Sequence, residues 1–87
     1  MAVDLTPRQR EIVRLVSLGC SVHEIADILD LAPSTVDNHK TRAMERLGVN
    51  KVALLTRMAI KHRISALKDK LTPKEKRLSG RKNDGWN

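Results

Sequence analysis

Only Asp30, Leu31 and Ala32 stand between two helix-forming runs, and so short a link leaves those helices few arrangements. Upstream, Val22, Ile25, Ala26 and Leu29 recur at helical spacing and make one narrow apolar face. Ser21, with Glu24 three positions on, forms a capping box. Downstream, Pro33 suits a first helical position and pushes Ala32 out of helical geometry, which ends the preceding segment. Val36, Ala43 and Leu47 then carry a buried stripe, and Gly48 can close the helix in a left-handed conformation. Helices joined this tightly cross steeply rather than lie side by side. Ala26 stands where a larger side chain would hold them apart, and Val36 packs against it. This is helix-turn-helix geometry, in which the second helix turns its N-terminal half outward.

The rest of the chain limits what can surround that pair. Eighty-seven residues allow one small domain. There is no Phe or Tyr, and the single Trp is the penultimate residue, so the core is expected to be aliphatic. Nothing here builds an enclosed substrate pocket, so neither an enzyme nor a bound cofactor is expected. Cys20 is the only cysteine; it cannot form an intrachain disulfide, and a reducing cytoplasm is the expected home. Its expected role is that of a small apolar residue at the end of helix 1. No signal peptide or long apolar run is present, so no membrane partner is expected. His23, His39 and His62 fall on three different helices, which argues against zinc.

Taken in order, Thr6-Pro7-Arg8-Gln9 starts helix 1 with an N-cap, a proline and a Gln that completes a capping box. Ile12, Leu15 and Val16 form its buried face, and Gly19 ends it. After helices 2 and 3, Asn50 is the expected N-cap of a fourth helix running from Lys51 to about Leu67. Val52, Leu55, Ala59, Ile60 and Ile64, with Leu54 and Met58 nearby, cover more than one stripe of it. Sequence alone leaves open whether that surplus is a wide core face or a partner-facing patch. Residues 1–67 are read as the domain and 68–87 as a basic tail. Within the tail, Thr72-Pro73-Lys74-Glu75 starts a short helix over 73–78, and Arg81–Asn87 are expected to be disordered.

The net charge of +7 is unevenly placed. Residues 1–48 hold six Lys/Arg against seven Asp/Glu, and residues 49–87 hold eleven against three. A basic half suggests a polyanionic partner, with DNA the first candidate. The tail, seven Lys/Arg against Asp69, Glu75 and Asp84, either samples phosphates without regard to sequence or serves only as a solvated segment.

LTPRQREIVRLVSLG followed by SVHEIADILDLAPSTVDNHKTRAMERLGV resembles the DNA-binding domain of the LuxR/GerE family, which ends many bacterial response regulators of the NarL and FixJ type and many quorum-sensing regulators. The likeness spans residues 5 to about 64. It is strongest at Leu5-Thr6-Pro7-Arg8, Glu24-Ile25-Ala26, Ser34-Thr35-Val36, His39 and Leu47-Gly48-Val49. The resemblance implies an all-α, four-helix helix-turn-helix domain in a bacterial cytoplasmic, nucleoid-associated transcription regulator. Its partners would be double-stranded DNA, a second copy as a homodimer, and RNA polymerase.

Carried over by position, Asp37, Asn38 and Thr41 are the base-facing candidates, and Ser34, Thr35, Lys40 and Arg42 the phosphate-facing ones. The residue types suit those tasks. Asn pairs with adenine through two hydrogen bonds, Asp accepts from cytosine N4, and Thr meets the thymine methyl. Hydroxyls and N–H groups at a helix start suit phosphate oxygens. Asp37 also has a bland role, favouring the positive end of its helix. In the family the fourth helix pairs two domains, which makes Val52, Leu55 and Ala59 the dimerisation candidates.

Lys40 and Ala43 stand where relatives usually carry a hydrophobe and a larger aliphatic, and Gln9, Val52 and Leu54 where they usually carry Glu, Arg and Glu. A polar link from helix 4 to the domain is thereby replaced by apolar surface. Two other readings stay open. One is a promoter-binding domain like sigma-factor region 4, and the other an interaction module that pairs with another regulator through helix 4 without touching DNA. Family members usually carry an N-terminal receiver or ligand domain. With Met1 four residues ahead of Leu5, the chain reads as an excised C-terminal domain or a free-standing regulator.

Overall fold

The computed structural model describes residues 4–65 and 70–80. Among them are five helices and no strand: α1 (Pro7–Ser17), α2 (Val22–Leu29), α3 (Pro33–Leu47), α4 (Val52–Lys61) and α5 (Pro73–Ser79). Three helix starts are written locally. Thr6 with Gln9, Ser21 with Glu24 and Thr72 with Glu75 each form a reciprocal capping box, with all six hydrogen bonds between 2.9 and 3.2 Å. Each box satisfies two N–H groups that a helix start otherwise leaves unpaired. Helix α4 begins without such help. Its N-cap is Lys51 rather than Asn50, and no side chain caps it.

α1 is the buttress. It packs against α2, α3 and α4, while α3 also packs on α2 and α4. Ile12, Val13 and Leu15 from α1 meet Ile25, Val36 and Leu55 in an aliphatic core, all but fully enclosed. Val13 joins this face beside the expected Ile12, Leu15 and Val16. Ala26 and Val36 are both buried in the same cluster, as the close crossing of α2 and α3 requires. Cys20 is buried within it. None of the helices among the described residues is long and apolar enough to cross a membrane.

Two boundaries differ from the sequence reading. The fourth helix stops at Lys61, not near Leu67. Arg63 turns left-handed at φ 59°, Ile64 N–H reaches back to the Ala59 carbonyl at 2.8 Å, and Arg63 N–H reaches Ile60 at 3.1 Å. That pair of bonds is a Schellman stop, usually made with Gly. Here it returns Ile64 to the core edge and sets Ser65 Oγ 3.0 Å from Ser17 Oγ.

The second difference concerns the expected domain end at residue 67. Leu71 is 4% exposed and belongs to the core, and α5 packs against α2. Arg14 binds both segments, donating to the Lys70 carbonyl at 3.1 Å and to the Glu75 carboxylate at 2.8 Å. The packed body therefore extends through Gly80. One leucine among lysines leaves no periodic trace, which is why composition alone drew the boundary too early. The expected disorder of Arg81–Asn87 lies outside the described residues.

Burial pushes the Glu75 carboxyl up. The Thr72 N–H, the Arg14 hydrogen bond and charge, and the Thr72 hydroxyl outweigh it, so its pKa lies below the ordinary carboxylate value.

Candidate nucleic-acid interface

α3 is fifteen residues long and buries Val36, Ala43 and Leu47. A 3.6-residue repeat then turns Ser34, Asn38, Thr41 and Glu45 to the opposite side, and all four are exposed. Asp37 and Arg42 flank this stripe and are exposed too, while Thr35 and Lys40 are half-buried. Lys40 falls beside the apolar stripe, where a long aliphatic stem can lie on the core edge with its ammonium outward. All seven candidates thus stand on one helix held from behind by α1 and α2. Ser34, Asn38 and Thr41 share its outward face, and Thr35 and Lys40 stand nearer its buried side.

The start of α3 is open. Ala32 is its N-cap, no side chain caps it, and no acid lies in the first turn. The positive end of the helix dipole therefore lies beside Ser34 with no acidic side chain in the helix's first turn. Its approach angle is fixed by Asp30, which closes α2 in the left-handed conformation at φ 56° and lets Leu31 N–H reach the Ala26 carbonyl at 3.0 Å. At the far end of α3, Arg46 donates to the Asp4 carbonyl and carboxylate at 3.0 and 3.1 Å. No sequence signal marked that link, because it joins residues far apart in the chain.

The dimerisation candidates need correction. Val52 is 45% exposed, but Leu55 and Ala59 are fully enclosed in the chain's own core. Helix periodicity puts Leu55 and Ala59 on one face, four apart, and that face meets α1. They are not available to a second molecule. The apolar surface α4 presents outward consists of Val52 and Leu54, with Met58 half-buried beside them. Val49, Leu54, Arg57, Met58 and Lys61 line a groove of about 310 Å³ there. No group of three or more His, Cys, Asp or Glu side chains is gathered for a metal among the described residues.

Residues 3–59 match the family described as bacterial regulatory proteins, luxR family. The chain is 38% identical over 60 residues to the transcriptional regulatory protein MctR of Rhizobium johnstonii, covering 69% of this chain and 28% of that protein. It is 46% identical over 55 residues to the transcriptional regulatory protein UhpA of Escherichia coli K12, covering 62% and 28%. A third relative, the tetrathionate response regulatory protein TtrR of Salmonella typhimurium, is 40% identical over 53 residues, covering 61% and 26%. The matched part therefore spans about a quarter of the length of these relatives. No solved structure matches the chain significantly.

Proposed function

Because the chain belongs to the luxR family of bacterial regulatory proteins, we propose that it binds double-stranded DNA in a sequence-specific way and regulates transcription, with α3 in the major groove. One observation carries the reading. An exposed polar stripe, Ser34, Asn38 and Thr41, lies on the outward face of a helix whose opposite face is locked into the core. Asn38 and Thr41 read base edges, with Asp37 accepting from a cytosine amine. The hydroxyls of Ser34 and Thr35 and the cations of Lys40 and Arg42 hold phosphates and fix the register.

Dimerisation belongs to the same proposal, now through Val52 and Leu54 of α4 rather than through its buried residues. Two copies would then meet half-sites about one helical turn apart.

Selection of bound sequences from random duplexes, followed by titration of Asn38→Ala and Thr41→Ala, tests the reading. Each variant should lose about 1–3 kcal/mol on the selected site and almost nothing on random DNA. Equal losses on both would refute base reading by these residues. An absence of any selected motif would favour a module that only pairs with another regulator.

A further inference from the structure

The helix-turn-helix approaches its polyanion with the wrong charge. From Leu15 to His39 the chain has no Lys or Arg, yet it carries Glu24, Asp27, Asp30 and Asp37. That run includes all of α2 and the first half of α3. In a docked helix-turn-helix the first helix of the pair crosses the DNA backbone, so an acidic α2 would face phosphates. On that helix packs α5, which makes no comparable contact with α3 or α4. It therefore lies on the flank of α2 away from the reading helix. Its charge is the opposite: Lys74, Lys76 and Arg77 against Glu75, whose carboxylate is already engaged by Arg14. Lys74 and Arg77, three residues apart on one side of α5, are both exposed.

We propose that α5 is a phosphate-binding element of this domain: docked on α2, it holds Lys74 and Arg77 against the DNA backbone where α2 crosses it. The proposal rests on the DNA-binding reading above and assigns the ligand as backbone phosphodiesters flanking the base-reading site. Docking is what separates this from a loose basic tail. Leu71 in the core and Arg14 on Glu75 and the Lys70 carbonyl fix where the cations stand. A cation held in place releases a condensed counterion without first ordering a chain, and it adds affinity without changing which bases are read.

The test compares the full chain with Lys74→Gln/Arg77→Gln, using the selected duplex and a random one over a series of salt concentrations. Both substitutions are at exposed positions, and an unchanged far-ultraviolet circular dichroism spectrum verifies the fold. Affinity should fall about tenfold or more on both duplexes near 0.1 M salt. The slope of log affinity against log salt should flatten by roughly 1.8, two contacts at about 0.9 each. The charge-preserving Lys74→Arg/Arg77→Lys should restore both. If the parent chain binds its selected site and the double variant keeps the same slope, α5 does not touch phosphate and the inference is wrong. A shifted base preference would overturn it as well, since α5 would then read sequence. If the parent chain binds no DNA, the reading beneath it fails first, and the two failures are told apart by that control.

Discussion

Leu55→Asp is expected to abolish the fold rather than separate two folded subunits. Leu55 has no exposed surface, sits at the centre of the α4 face that meets α1, and is among the largest fully enclosed side chains. Removing a buried leucine costs about 2–5 kcal/mol through lost burial and cavity formation. A carboxylate in its place adds several kcal/mol more, since no cation of the core stands ready to pair with it. Small domains hold only about 5–15 kcal/mol in total, and one of this size lies toward the low end. The helical circular dichroism signal should therefore collapse.

Leu54→Asp is the contrasting case. Leu54 is 39% exposed, so the helices should remain while sedimentation shows a shift from dimer to monomer. A helical Leu55→Asp protein would contradict the burial of Leu55 against α1. An unchanged dimer in Leu54→Asp would remove the outer face of α4 as the interface.

Ending the chain after Lys70 should be nearly as damaging. That truncation removes Leu71 from the core, strips α5 from α2 and leaves Arg14 without its carboxylate. Leucine loss alone is worth about 2–5 kcal/mol, and a hydrogen bond to a charged group about 1.5–3 kcal/mol. The sum corresponds to a melting temperature lower by roughly 15 °C or more for a domain of this size. A truncated chain that melts like the parent would show that α5 contributes nothing to the folded body. The same cost means truncation cannot isolate the effect of α5 charge on DNA.

The ion pair also carries a pH signature. Because Glu75 has a folded pKa below its unfolded value, its contribution is fully present above the unfolded pKa. It is lost as pH falls through the folded one. The urea midpoints of the parent and Glu75→Gln should accordingly differ most near neutrality and converge in acid. A constant difference across that range would mean that the charge on Glu75 plays no part.

What could be read in the sequence follows the range of the interaction. Capping boxes and helix ends relate residues three to five apart, so Thr6 with Gln9, Ser21 with Glu24 and the Gly48 stop of α3 were all legible. The outward stripe of α3 was legible because Val36, Ala43 and Leu47 define one face and leave the other by subtraction. On α4 the buried face was not legible, for the opposite reason. Val52, Leu54, Leu55, Met58, Ala59 and Ile60 cover more than one stripe of the helix, and periodicity cannot tell a face that meets α1 from one that meets water. Leu71, Arg14 with Glu75 and the left-handed Arg63 were invisible because each is determined by residues distant in the chain.

The clasp between Arg14 and Glu75 closes across 61 residues, and this gives the domain an order of assembly. Contacts that short loops bring together form ahead of those needing a long closure. Helices α1 to α4 can begin to collapse ahead of that closure, leaving α5 to arrive last and to leave first when the molecule breathes. Amide exchange should show it, with the Lys76 N–H bonded to Thr72 less protected than the Ile25 N–H bonded to Ser21; equal protection would mean a single cooperative unit. On a ribosome the consequence is one of timing. The proposed base-reading residues of α3 emerge well before Lys74 and Arg77 of α5, so the proposed reading surface is synthesised before the proposed clamp.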